Sequence, residues 1–290
     1  MADVPTVIAR PFVEDLHYGE APRWHDGRLW YSDFYDRAVF SVADDGIPRC
    51  EVEVAGQPSG LGWLPDGRLL VVSMRDRALL RQGEGGALVR HGDLAPWAAF
   101  HANDMVVDAV GRAYVGSFGF DLDGFFEGTA RPATTSLVRV DPDGTAHEAA
   151  PDLSFPNGCI LSPDGRTLVV AETFALRLAA FEVADDGSLS NRRVWASLLG
   201  CAPDGICLDA EGCIWAANAL APECVRVTEG GEIVGRVVTG QTAFACMLGG
   251  PERRTLFCCT APTSQSTEAS AARNGRLEQA DVEVPGAGLP

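Results

Sequence analysis

Apolar residues in this chain come in short, strand-like runs, and each run follows a turn built on Gly or its equivalent. Six such units are legible: Asp26-Gly27-Arg28-Leu29-Trp30-Tyr31-Ser32, Asp66-Gly67-Arg68-Leu69-Leu70-Val71-Val72, Val110-Gly111-Arg112-Ala113-Tyr114-Val115-Gly116, Asp164-Gly165-Arg166-Thr167-Leu168-Val169-Val170, Glu211-Gly212-Cys213-Ile214-Trp215-Ala216 and Glu252-Arg253-Arg254-Thr255-Leu256-Phe257. The turn glycines are 40, 44, 54 and 47 residues apart, and Arg253 takes the matching place 41 residues after Gly212. Repetition at this period marks a β-propeller, and 290 residues over six units leave roughly 48 for each four-stranded blade and its loops. The pattern therefore predicts an all-β, six-bladed β-propeller of four-stranded antiparallel blades, occupying residues 1–290 as a single domain.

A lead-in turn precedes each run. The lead-ins read Gly19-Glu20-Ala21-Pro22, Pro58-Ser59-Gly60-Leu61, Ala102-Asn103-Asp104-Met105, Pro156-Asn157-Gly158-Cys159, Pro203-Asp204-Gly205-Ile206 and Ala245-Cys246-Met247. Short strands follow, such as 158–161 and 205–208. Hairpin turns such as Ser162-Pro163-Asp164-Gly165 come next, where Pro fixes φ and Gly accepts a positive φ. Residues 178–183 and 193–196 fit the two further strands of one blade. Residues 7–13 and 275–284 alternate as strands do, and the two chain ends are expected to complete one blade together. Residues 263–273, rich in Ser, Thr and Ala, read as a loop. The longest unit, the third, carries an insert over 118–136 with Phe118, Phe120, Phe125 and Phe126. That insert is either a lid over an apolar substrate or a loop packing its own rings.

Composition narrows the chemistry. Apolar residues make up 46% of the chain and mean hydropathy is +0.03, which suits a globular protein with a large core. No stretch approaches the roughly 18 apolar residues of a membrane span. The opening Met1-Ala2-Asp3-Val4-Pro5 lacks the basic start and apolar stretch of a secretion signal. A net charge of −17 argues against nucleic acid and anionic membrane surfaces as partners. All 23 basic residues are Arg, so Schiff-base chemistry and a phosphate-loop Lys are excluded. Nine Cys without a CxxC pair point to a reducing cytoplasm and to thiols that serve as small buried hydrophobes. There is no HxxxH, HExxH or GxSxG motif, which removes the usual zinc-hydrolase and serine-nucleophile patterns.

Four lead-in residues carry the remaining chemistry. Asn103, Asn157 and Asp204 each stand eight residues before the turn glycine of their unit, and Glu20 stands seven before Gly27. Equivalent positions of a propeller converge at one end of its channel. Two carboxylates and two amides would then offer only oxygen there, which suits a hard divalent cation. Without a cation, Glu20 and Asp204 would repel each other in a partly dry site. Asn-Gly and Asp-Gly are also ordinary turn pairs, so neither alone identifies a site.

These motifs carry a resemblance. Gly19-Glu20-Ala21-Pro22, Asn103-Asp104, Phe155-Pro156-Asn157-Gly158, Pro203-Asp204-Gly205 and the ending Val284-Pro285-Gly286-Ala287-Gly288-Leu289-Pro290 resemble the senescence-marker-protein/gluconolactonase (regucalcin-like) lactonases over essentially the full length. The resemblance implies a six-bladed propeller with one divalent ion in the channel: Ca²⁺ first, with Mg²⁺, Mn²⁺ or Zn²⁺ as alternatives. It implies Glu20, Asn157 and Asp204 as metal ligands. It gives Asn103 a contact to substrate or to an ion-bound water, and Asp204 a second task as the proton-handling group. Sugar-lactonase members often carry Arg two residues before the Asn matching Asn103, whereas this chain has His101. His101, with Phe100, Phe118 and Phe120 nearby in sequence, suggests a substrate less polar than an aldonolactone. His101 is the alternative base, and the same residue is also read as a structural histidine. The expected activity is metal-assisted lactone hydrolysis on a small-molecule substrate by a monomer or small homo-oligomer. The competing expectations are an isomerase, hydratase, lyase or organophosphate hydrolase on the same site, or a non-catalytic propeller that binds partners.

Overall fold

The computed structural model describes residues 4–287, so residues 1–3 and the last three residues of the ending quoted above lie outside the described residues. Six twisted sheets surround a channel as the blades of a six-bladed β-propeller. Blade one runs outward in chain order through Gly19–His25, Arg28–Asp33, Ala38–Val42 and Pro48–Glu53. The next four blades repeat that order, starting from innermost strands Pro58–Trp63, Ala102–Val107, Pro156–Leu161 and Pro203–Leu208. Blade six starts at Thr242–Gly249 and takes its outermost strand, Arg10–Leu16, from the start of the chain. That strand pairs antiparallel with Gly275–Asp281, Arg10 facing Gln279, so the two ends close the ring together.

The hairpin signals hold. Gly27, Gly67, Gly111, Gly165 and Gly212 have φ of 73°, 84°, 93°, 69° and 79°, and Arg253 enters the same left-handed region at 55°. The strands expected at 178–183 and 193–196 are Arg177–Val183 and Leu189–Ser197.

Three expectations need correction. The single strand expected at 7–13 is divided. Thr6–Ile8 pairs parallel with Ile233–Val238 as a fifth strand on blade five, and Arg10–Leu16 goes to blade six. An alternating pattern names a face but not a partner, so it reads alike in either sheet. Residues 263–273 are not all loop, because Ser266–Ala271 is a short helix that buries Ala269. Its Ala and Glu content suits a helix, but six residues are too few to show a 3.6-residue period.

The lead-ins are the most informative revision. They are not turns. Each lies in an innermost strand, and each of those strands shifts register there. Pro203 faces Asn218 and Ile206 faces Ala216, so Asp204 and Gly205 together oppose one residue. Asn157 and Gly158 do the same between Pro156 and Cys159, as do Asn103 and Asp104 between Ala102 and Met105. A bulge of this kind bends the strand and re-aims one side chain.

The bulges bring adjacent innermost strands very close. A Cβ on Gly158 would stand 2.5 Å from the Ile206 amide nitrogen and 2.7 Å from the Asp204 carbonyl oxygen. One on Gly205 would stand 2.6 Å from the Ala245 Cα. Glycine follows Asn157 and Asp204 because backbone meets backbone there, not because the chain turns.

Buried apolar residues fill the spaces between blades. Leu29, Tyr31, Trp215, Met247 and Phe257 belong to one cluster around blades one, five and six. The thiols are buried as expected of small hydrophobes: all nine Cys are free, and only Cys50 is exposed. Among the described residues, no helix is long and apolar enough to cross a membrane.

Gly158→Ala is expected to cost about 1–3 kcal/mol, because the new methyl meets backbone that cannot yield as a side chain can. Urea unfolding at constant m-value would measure this. An unchanged midpoint would show that the neighbouring strands have more room than the distances imply.

Candidate functional site

A pocket of about 550 Å³ opens at one end of the channel. Glu20, Asn103, Asn157 and Asp204 all line it, and all are buried, at 4–7% exposure. The four residues singled out from the repeat are thus brought to one cavity. They stand on the bulges of blades three, four and five, and on blade one immediately before its register shift.

Their hydrogen bonds leave oxygen available. Glu20 Oε2 accepts the Ala21 N–H at 2.9 Å. Asn157 donates its amide to Thr173 Oγ1 at 3.4 Å, which leaves its carbonyl oxygen for the pocket. Thr173 donates to the Pro203 carbonyl at 2.8 Å and so ties Asn157 to the strand that carries Asp204. Asp204 Oδ1 is buried with no partner. Asn103 meets Ser59 Oγ at 3.5 Å through one amide atom, and the other has none, whichever way the amide is turned.

The electrostatics are unfavourable for the protein alone. Burial pushes the Glu20 carboxyl well above its ordinary value, and the charge of Asp204 pushes it further. Burial also raises Asp204 well above the carboxylate range, with help from Asp104. Tyr18 is raised by burial and then by Glu20 and Asp204. Asp104 itself is matched, because Arg23 Nη2 donates to it at 2.7 Å and also to the Met105 carbonyl at 2.6 Å. This buried pair joins blade one to blade three across the channel. Glu20 and Asp204 have no such partner.

The donor set fits a hard cation. Two carboxylates and an amide oxygen supply the charge and the ligand type that Ca²⁺ takes. Among the described residues, no three His, Cys, Asp or Glu side chains are grouped as a metal site, so there is no nitrogen or sulfur set of the zinc kind. The buried Asp204 Oδ1, with no hydrogen-bond donor, is left free to take a cation.

His101 lines the pocket, half-buried between Phe100 and Phe118, with ring centroids 4.2 and 5.7 Å away. Burial and then the Arg75 charge lower its pKa to about 4. The imidazole is therefore neutral near pH 7 and a weak proton acceptor. Phe118 lines the pocket and stacks on Phe155 at 4.6 Å. Phe120 does not line it. It stands behind, 4.9 Å from Phe174 and 5.7 Å from Phe155, so its ring backs the wall that Phe118, Phe155 and Phe174 present. The rings of the insert pack on one another, as one of the two alternatives had it, and Phe118, Phe125 and Phe126 also line the cavity. On the opposite side of the ring, Tyr18 packs with Phe34 and Phe244 at 5.2 and 5.0 Å. The insert helix Leu122–Phe126 also meets the helix of blade six, where Asp123 Oδ1 accepts the Ser266 N–H at 3.1 Å.

Other groups escaped the sequence reading. Ser59, which contacts Asn103 but does not itself line the pocket, stands eight residues before Gly67, the offset shared by Asn103, Asn157 and Asp204. Phe155, Phe174, Gln57 and Arg75 lie outside the repeated position, and nothing in the spacing marks them.

Fold and pocket define the class: a six-bladed propeller with an oxygen-lined cavity at one end of its channel. Residues 18–262 match the SMP-30/Gluconolactonase/LRE-like region, and the chain belongs to that family. A pentonolactonase of Haloferax volcanii is 27% identical, with 96% of each chain covered. A regucalcin structure from Agrobacterium tumefaciens, described as calcium-binding, superposes with a TM-score of 0.82 at 20% identity over 99% of both chains. A gluconolactonase structure from Xanthomonas campestris gives a TM-score of 0.75 at 25% identity, covering 97% of this chain and 90% of that one.

The raised Glu20 carboxyl has a consequence for stability. Its folded value lies above the unfolded value of about 4.3. Its contribution is therefore full below that pH and is lost as pH rises through the raised value. In chelator-treated protein, Glu20→Gln is expected to gain stability over wild type at pH 8 and to gain less, or lose, at pH 5. Urea unfolding at both pH values measures the difference. Equal differences at both would show that Glu20 is not strained by its surroundings.

Proposed function

We propose that the protein is a divalent-metal-dependent lactonase, with Glu20, Asn157 and Asp204 holding the ion and Ca²⁺ the best match to them. The supporting observation is the pair of buried, unmatched carboxylates lining one pocket beside two amides, in a chain of this family. When bound, a divalent ion supplies a Lewis acid for the lactone carbonyl and offsets the two carboxylate charges.

The chain's own groups complete the reaction. Asn103 has an amide atom free to hydrogen-bond the reacting group, which fixes the ring against the attacking water. Asp204 takes the proton of that water as its oxygen bonds to the carbonyl carbon. The ring C–O bond then breaks, and Asp204 returns its proton to the released alkoxide, giving a hydroxy acid. Asp204 is preferred to His101 because burial raises its carboxyl well above the carboxylate range, so it takes a proton more readily than an imidazole with a pKa of about 4. His101 instead serves the aromatic wall with Phe118, and Phe120 supports that wall from behind. Rings on both sides of the pocket favour a lactone less polar than a sugar lactone, since each unmatched hydroxyl buried against them costs free energy.

Chelation is expected to abolish turnover, and Ca²⁺ to restore it. Asp204→Asn is expected to lower kcat/KM by roughly a thousandfold, on the scale of losing a general base, and to weaken the ion as measured by calorimetry. Hydrolysis in ¹⁸O water should place label in the acid. Unlabelled product would point to an isomerase or lyase, and full activity without metal would remove the Lewis-acid role. Across a panel, aryl lactones should exceed aldonolactones in kcat/KM, and Phe118→Ala should narrow the gap. A preference for aldonolactones would overturn the assignment of polarity.

A further inference from the structure

We infer that Arg75 anchors an anionic group of the substrate at the pocket mouth, so that the site takes acidic lactones with a flat apolar arm rather than neutral polyols. The inference rests on the lactonase reading above for the ring that is opened, but the anchor itself is a binding feature and can be read separately.

Arg75 lies in the connection between Leu69–Ser73 and Ala78–Gln82 of blade two and lines the pocket. Its backbone is fixed: the Arg75 N–H donates to the Gly56 carbonyl at 2.9 Å, and the Met74 N–H donates to the Gln57 carbonyl at 2.8 Å. Its side chain is fixed as well. Arg75 Nε donates at 2.6 Å to Oε1 of Gln57, a residue only 5% exposed. A buried amide thus holds the near side of the guanidinium and leaves the Nη groups, the fork that grips a carboxylate, for the pocket.

That fork has no acid of its own, since among the described residues no ion pair within 4.0 Å engages Arg75. Asp123 also lines the mouth, but its Oδ1 is occupied by the Ser266 N–H. His101, the other basic side chain lining the pocket among the described residues, is neutral near pH 7. Arg75 is therefore the fixed positive charge of this cavity, in a chain whose net charge is −17. Its field reaches other pocket groups, lowering His101 and opposing the rise of Tyr35. An anion with oriented oxygens satisfies the fork. The Phe118–Phe155–Phe174 wall, with centroids 4.6 and 5.2 Å apart, favours a planar apolar arm over hydroxyls.

The test uses two matched pairs. The first is a 5-aryl-γ-butyrolactone bearing a para-carboxylate and its para-carboxamide counterpart. The second is the corresponding pair of γ-lactams, which resist hydrolysis. With the Ca²⁺-loaded full-length protein, the acid should exceed the amide by about tenfold in kcat/KM, and the acid lactam should bind about tenfold tighter by calorimetry. Both ratios should fall to about one in Arg75→Gln, while Arg75→Lys, which keeps the charge without the fork, should retain part of each. Circular dichroism checks that the variants are folded. Selective lactam binding without turnover of either lactone would refute the lactonase reading and leave the anchor standing. Ratios near one in the wild type, ratios unchanged in a folded Arg75→Gln, or no lactam binding at all would overturn the anchor.

Discussion

The site depends on one repeated backbone device, a single extra residue in each innermost strand. In a regular strand, neighbouring side chains alternate between faces, and a blade's innermost strand would show the channel only part of its side chains. The bulge places two residues opposite one and re-aims the chain where the strand meets the rim. Asn103, Asn157 and Asp204 sit in these bulges, and Glu20 adjoins the bulge of blade one. The same device demands glycine beside the functional residue in blades four and five, because the bulged strands approach to backbone contact. Packing and chemistry are thus fixed by the same dipeptides.

Charge then decides what the converged residues can do. Three carboxylates, Glu20, Asp104 and Asp204, are buried around one channel. Asp104 is met by Arg23, which also satisfies the Met105 carbonyl, so that pair serves the closure of the channel. Glu20 and Asp204 are met by neither Arg nor Lys. A buried ion without a partner is expensive, and the protein's remedies are to hold protons there or to hold a cation. A site that must hold a proton or a cation in order to relax carries the kind of perturbed acid found at functional sites.

Much of this was legible in the chain. The turn glycines gave the number of blades because a positive φ is needed once per hairpin, and Arg253 kept the rhythm in the one unit that lacks the glycine. The constant offset of eight residues picked out three of the four buried polar groups. Legibility failed where no period operates. The bulges looked like turns, since Asn-Gly and Asp-Gly serve both and only strand pairing tells them apart. The division of residues 6–16 between two sheets depends on which neighbour is in reach. Arg75, Phe155 and Phe174 lie outside the repeated position, and their meeting in one cavity is a product of the closed ring.

The order of residues around the ring explains why the two acids are so poorly placed without a cation. From blade one to blade six, the rim positions in or beside the bulges carry Glu20, Ser59, Asn103, Asn157, Asp204 and Phe244. The acids thus stand on either side of Phe244, which is 4% exposed and offers no donor. Were Phe244 polar, it could place a hydrogen bond between the two carboxylates and partly screen them. As an apolar ring packed on Tyr18 at 5.0 Å, it offers the two carboxylates no hydrogen bond. The amides lie on the other side, on blades three and four, next to whose innermost strands the stacked Phe118 and Phe155 also stand. A sixfold scaffold therefore yields a site with no symmetry: charge concentrated on one arc, neutral hydrogen-bonding groups on the other, and aromatic rings lining the same pocket. A planar ester has the same polarity, with electron-rich oxygens at one edge and apolar carbon at the other.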